Sequence, residues 1–272
     1  MKKSVHLAKI AGIDVSIHWT FFLFLGWVFL EGTLSTGVLA AGAYKIAFTL
    51  AAFTCVLLHE YGHAMAARYF GIPTHGITLL PVGGVAQLAR IPRSSWQEFV
   101  IAIAGPAVNV VLGSLIFLVL FDSGRALTPW VELLLYRLLY INAGLFLFNM
   151  IPAFPMDGGR IFRAMLAAIM NNYENATRIA VRFGQLVAIA FGSFGMTINP
   201  MLALVAAFIV IAAEFELRFV LNERPAAIGS ATLASRIRPS RDMRPILESR
   251  VLLPLAKIRT LSISGIQPTP RC

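Results

Sequence analysis

His59, Glu60 and His63 form a His-Glu-x-x-His run inside the apolar stretch from Gly37 to Phe70. Two histidines four positions apart lie on one side of a helix, separated by about 6 Å of rise and about 40° of rotation, so a single zinc ion can take both. Glu60, one step on, flanks the pair. It is badly placed to be a third ligand on that face and well placed to hold and deprotonate a water that the metal activates, the general-base role in metal-assisted hydrolysis. A soluble surface helix can carry such a run by accident. At the centre of a membrane span each charged side chain costs roughly 2.5 to 3.5 kcal/mol on insertion scales, so ionisable groups kept there need a reason.

A catalytic zinc site takes three protein ligands and leaves the fourth position open. The best candidate for the third is Asp157. It follows Asn149 to Met156, where Pro152 and Pro155 break a helix, and precedes Gly158 and Gly159, which permit close backbone approach. The competing role for Asp157 is to cap a helix beginning near Arg160. Asn149 has an amide suited to donating to a developing oxyanion or pinning a substrate backbone, and otherwise serves in helix packing. Cys55, one turn before His59, can approach the metal but reads more simply as a small buried thiol, and with Cys272 it offers no disulfide framework. His18 and His75 suit interfacial or hydrogen-bonding roles better than ligation.

The elements that must position these residues are membrane helices. The chain is 58% apolar and 13% charged, with a mean hydropathy of +0.76, and several apolar runs approach the twenty residues that cross a bilayer. The fold class expected is an α-helical polytopic membrane protein. Its six spans cover residues 18–31, 42–70, 96–121, 129–150, 182–197 and 200–220, and a short membrane-associated β-hairpin over 77–89 follows the second. The first span resembles a signal peptide in its flanks, but it is expected to be retained, because the positive-inside pattern works only when it counts. Lys2, Lys3 and Lys9 precede the first span, Arg68, Arg90 and Arg93 follow the second, Arg160, Arg163, Arg178 and Arg182 follow the fourth, and Arg218 and Arg224 follow the sixth. Both termini are then cytoplasmic. His59 lies nine residues before Arg68, about 14 Å of helix, which puts a metal inside the hydrocarbon but toward the cytoplasmic face.

Residues 1–221 form the expected transmembrane core. The tail, 222–272, has nine Lys or Arg against three acids and supplies more than half of the net charge of +10. It suits contact with anionic lipid headgroups, and with no binding module in view no nucleic-acid partner is expected.

Taken together, these residues resemble the site-2 protease family of intramembrane zinc metalloproteases. The resemblance rests on His59, Glu60 and His63 in one apolar helix, on Asn149, Pro152, Pro155, Asp157 and Gly158, on Gly105, Pro106 and Asn109 as a Gly-Pro-x-x-Asn signature, on Gly12 to Thr20 as the entry to the first helix, and on Pro81 to Val85 in the hairpin. It covers about residues 10 to 220. It implies Zn2+ held by His59, His63 and Asp157, Glu60 as the catalytic carboxylate, a membrane-spanning protein segment as substrate, and a prokaryotic plasma membrane as the location. Gly105, Pro106 and Asn109 are expected to serve close helix packing rather than chemistry. The hairpin can take an unwound substrate as an added strand or merely seal the site. Two alternatives stay open at this point: a metal-ion transporter using the same side chains, and a membrane zinc protease whose third ligand is Glu214 or Glu216.

Overall fold

Long apolar runs interrupted by Gly, Pro and charge become helices that turn most of their side chains outward. The computed structural model describes residues 4–89, 92, 94–122, 127–197 and 199–236, with side chains for all of these except 87–88 and 223–236. In chain order the elements are β1 (Ser4–Ile10), β2 (Ile13–His18), α1 (Trp19–Thr36), α2 (Leu39–Tyr69), β3 (Thr74–Leu80), β4 (Gly83–Leu88), α3 (Ser95–Asp122), α4 (Pro129–Asn149), α5 (Asp157–Met170), α6 (Tyr173–Met196) and α7 (Met201–Arg236). By contacts the chain divides into Met1–Val220 and Leu221–Cys272. Of the second unit, residues 221–236 are helical. The rest of the predicted basic tail lies outside the described residues.

The six predicted spans correspond to α1, α2, α3, α4, α6 and α7. Five of them, α1 to α4 and α6, are long and apolar enough to cross a membrane. The last, α7, begins as an apolar run but carries Glu214, Glu216 and Arg218 close together. Helix α6 starts at Tyr173, earlier than the predicted residue 182, because the Asn172 side chain caps it by accepting from the Asn175 amide at 3.0 Å. Hydropathy marks where a chain turns apolar, and the polar first turns of a helix escape it.

The predicted hairpin is half of a larger sheet. The strands run β1-β2-β3-β4, antiparallel within each hairpin and parallel between β2 and β3. Residues 12–20, expected only as the entry to the first helix, form β2 and then the first turn of α1. Ala11 and Gly12, with φ of 45° and 85°, turn β1 back along β2. His18 ends β2 and caps α1, its Nδ1 accepting from the Thr20 amide at 3.4 Å. The α1–α2 helix pair is the crossover that lets β2 and β3 lie parallel. Two of the buried side chains of the sheet, Ile13 on β2 and Ile77 on β3, pack on Ala64 of α2 with Leu57, Tyr61 and Ala86 around them.

A buried ion cluster ties three helices together. Arg163 of α5 donates through Nε and Nη2 to Oε1 of Glu98 on α3, at 2.8 and 2.5 Å, and through Nη1 to Oε1 of Glu216 on α7 at 2.8 Å. Its guanidinium lies 4.8 Å from the Phe154 ring centroid and 5.0 Å from that of Tyr173. Arg163, counted above toward membrane orientation, is thus an internal charge. Replacing Arg163 by Met strands the Glu98 carboxylate in the core and is expected to cost roughly 3–5 kcal/mol. Adding Glu98→Leu to that variant should recover most of the loss, read as denaturant unfolding in detergent.

Candidate metal centre

The His-Glu-x-x-His run lies in the last third of α2, where the helix is covered on two sides. The sheet covers one side and is fastened there: Tyr61 Oη donates to the Ile10 carbonyl at 2.9 Å, and Arg68 Nη1 donates to the Ala11 carbonyl at 2.5 Å. Helix α3 covers the other. A Cβ on Gly62 would come within 2.7 Å of the Ala104 carbonyl oxygen, and one on Gly105 would enter the His63 imidazole. Small residues on both helices therefore let α3 approach the histidines directly.

The third side chain arrives from the break after α4. Asn149 ends that helix, and α5 begins at Asp157 itself rather than near Arg160. Gly158 and Gly159 seat the new helix on the loop behind it. A Cβ on Gly158 would collide with the carbonyls of Met150 and Ile151, and one on Gly159 would lie 2.8 Å from the Phe154 amide nitrogen. Asp157 thus sits in the first turn of α5, where the helix dipole favours a carboxylate, and its side chain points at α2.

Among the described residues, His59, His63 and Asp157 are the group of potential donors close enough to share one ion. They are 4%, 5% and 6% exposed. Each imidazole has its Nδ1 hydrogen committed elsewhere: His63 Nδ1 donates to the Ile101 carbonyl at 2.7 Å, and His59 Nδ1 donates to Asn109 Oδ1 at 2.5 Å. In the neutral rings that a metal takes, both Nε2 atoms then carry bare lone pairs. They lie 3.1 Å from one another, and each lies 3.1 Å from Asp157 Oδ2. Three acceptors facing each other in a dry interior repel unless a cation lies among them. Bonds of 2.0–2.1 Å in tetrahedral directions set donors about 3.3 Å apart, so the donor set and its spacing fit zinc.

Glu60 stands outside this triangle. Its side chain runs along β4, where a Cβ on Gly84 would come within 2.7 Å of Glu60 Cγ. Comparison with known proteins decides the family. The model of peptidase family M50 matches residues 47–133 and 121–191. The chain belongs to peptidase family M50. Of its family relatives, a zinc metalloprotease of Methanocaldococcus jannaschii is 39% identical over 223 residues, which are 81% of this chain and 62% of that protein. A putative zinc metalloprotease of Synechocystis is 36% identical over 72% of this chain and 54% of its own. The chain therefore spans about three-fifths or less of the length of these M50 relatives. Among solved structures, the site-2 protease from M. jannaschii superimposes with a TM-score of 0.54 at 36% identity, covering 79% of this chain and 95% of that one.

Within this M50 chain the other sequence candidates go elsewhere. Glu216 is bound to Arg163, and Glu214 pairs with Arg218 at 3.4 Å. Cys55 is a buried thiol that accepts from Asn142 Nδ2 at 3.3 Å. The Asn149 amide donates to the Leu145 carbonyl of its own helix at 3.0 Å. Asn109, read from sequence as a packing residue, instead takes the His59 Nδ1 hydrogen directly. The available signal was an amide one turn after Gly105 in an apolar helix, which needs a partner. Gly105→Ala is expected to displace the His63 ring and lower zinc affinity at least tenfold. Gly113→Ala, whose Cβ meets only ordinary contacts at 3.8 Å, should leave it unchanged; chelator competition measures both.

Proposed function

We propose that this integral membrane protein is an intramembrane zinc metallopeptidase that hydrolyses peptide bonds of transmembrane protein segments within or near the bilayer. The observation that carries this reading is the triangle of His59 Nε2, His63 Nε2 and Asp157 Oδ2 beside a carboxylate, Glu60, that has no hydrogen-bond partner among the described residues, in a chain of family M50. His59, His63 and Asp157 would hold the zinc. When bound, zinc supplies Lewis acidity, which polarises a carbonyl and brings the pKa of a water toward about 7.

The remaining chemistry belongs to the chain. Glu60 accepts the proton of the attacking water and passes it to the departing amine, so no acyl-enzyme forms. Gly84 leaves the space beside β4 in which that carboxylate can turn. Because β4 is one of the two outer strands of the sheet and the one beside Glu60, an unwound substrate segment that pairs along it is drawn past Glu60. Unwinding is required, since a helical substrate hides its amides in side chains and hydrogen bonds. Asn149 would contact that substrate or the developing oxyanion after releasing its amide from Leu145. The chain is placed in a prokaryotic plasma membrane with both termini cytoplasmic, and its basic 222–272 segment against anionic headgroups.

The buried, three-donor set is a poor fit to a transporter, which needs a ladder of exchangeable sites. The test compares zinc content and cleavage of a transmembrane peptide in detergent. Glu60→Gln should keep its zinc and lose about 10²- to 10⁴-fold in cleavage rate. Asp157→Asn should lose zinc, while Glu214→Gln keeps it. Zinc loss on Glu214→Gln with retention on Asp157→Asn would overturn the ligand set.

A further inference from the structure

The hydrogen bond that turns His59 toward the centre does not end at Asn109. Asn109 Nδ2 donates to Asn142 Oδ1 at 3.0 Å, and Asn142 Nδ2 donates to the Leu138 carbonyl at 2.9 Å and to Cys55 Sγ at 3.3 Å. The two amides are buried completely, Asn109 at 1% and Asn142 at 0% exposed. They link α2, α3 and α4 in one chain of donors and acceptors that starts at His59 and returns to Cys55, one turn earlier on α2.

The direction of that chain is forced from its far end. A backbone carbonyl can only accept, so the Leu138 oxygen requires the NH2 group of Asn142. That leaves Asn142 Oδ1 facing Asn109, which must then present its own NH2 group. Asn109 Oδ1 is left facing His59, whose Nδ1 must carry the hydrogen. Reversing any one amide places two oxygens, or two hydrogen-bearing nitrogens, against each other at a buried contact and leaves both groups unsatisfied. His63 reaches the same state in a single step, because its Nδ1 meets the Ile101 carbonyl directly.

We infer that Asn142 is a positioning residue for the metal centre: through Asn109 it holds His59 in the Nδ1–H tautomer, which keeps Nε2 free as a donor. The inference rests on the reading of His59 as a metal ligand. Outer partners of this kind are worth 10- to 100-fold in metal affinity. Without Asn142 the Asn109 amide is free to reverse and offer its NH2 group to His59 Nδ1, which favours the tautomer with a hydrogen on Nε2.

Chelator competition for zinc on the full chain in detergent tests this as a double-mutant cycle. Asn142→Leu is expected to weaken zinc binding about tenfold. Asn109→Leu removes the link between His59 and Asn142; on that background Asn142→Leu should change zinc affinity less than twofold. Equal losses on both backgrounds would mean that Asn142 merely fills space, and an unchanged affinity for Asn142→Leu alone would remove its role; either overturns the relay. A second measurement needs no substitution: in metal-free wild type, 15N-histidine NMR should find His59 with hydrogen on Nδ1, and a hydrogen on Nε2 instead overturns the proposal even where Asn142→Leu does not fold. Wild type that binds no zinc at all would overturn the metallopeptidase reading itself, a result distinct from zinc bound normally with no effect of Asn142.

Discussion

Two imidazole nitrogens and a carboxylate oxygen held 3.1 Å apart in an apolar bundle are tolerable only if their hydrogens are anchored elsewhere. That constraint organises helix α3. It must offer an acceptor to each histidine Nδ1, and it does so from two points about two turns apart, through the Ile101 carbonyl and the Asn109 side chain. Those acceptors reach α2 only if the two helices nearly touch, which accounts for Gly62 and Gly105 at the crossing. Pro106 interrupts the backbone ladder between the two anchors and loosens hydrogen bonding in that part of the helix. A larger residue at either glycine would widen the helix spacing and unmake both anchors at once.

Asp157 is held by different means. A carboxylate in the middle of a straight span would be fixed by its helix; this one lies on the first turn of a new helix whose position is set by what it rests on. Gly158 and Gly159 bring the start of α5 onto the carbonyls and amides of the preceding loop. Two turns further, Arg163 ties α5 to Glu98 of α3 and Glu216 of α7 while its guanidinium covers Phe154 from that same loop. The loop and the helix are therefore located against α3, the helix that also orients both histidines. One reference element sets all three donors, so errors in placing them are shared rather than independent.

The parts of this arrangement written in local spacing were legible in the sequence. His59 and His63 share a helix face because they are four apart, and Asp157 stood out because prolines and glycines surround it in an otherwise apolar chain. The helical spans followed from hydropathy, with α6 misplaced at its start because its first turns are polar. What could not be read were the interactions made across the bundle. Asn109 and Asn142 are ordinary single amides in apolar helices, thirty-three positions apart, and only the packing of α3 on α4 makes them a pair. The β1–β2 hairpin of residues 4–18 is local and was passed over for the helix entry that follows it; its joining to β3 was hidden, since that parallel partner lies beyond two intervening helices and no local pattern records the pairing.

The same packing decides from which side a reactant can reach the centre. Helix α3 closes one flank through Gly105 and Asn109, and the loop and first turn of α5 close another. The donors themselves are almost wholly buried, whereas Glu60 is only half-buried and faces the glycine strand of the hairpin. Glu60 therefore lies between the donors and β4, less buried than the donors themselves. That position suits the general-base role proposed above for Glu60. The carboxylate's exclusion from the ligand triangle and its place beside β4 are thus one geometric consequence of following His59 by a single residue: about 100° of helix rotation turns it from the face of the donors toward the sheet.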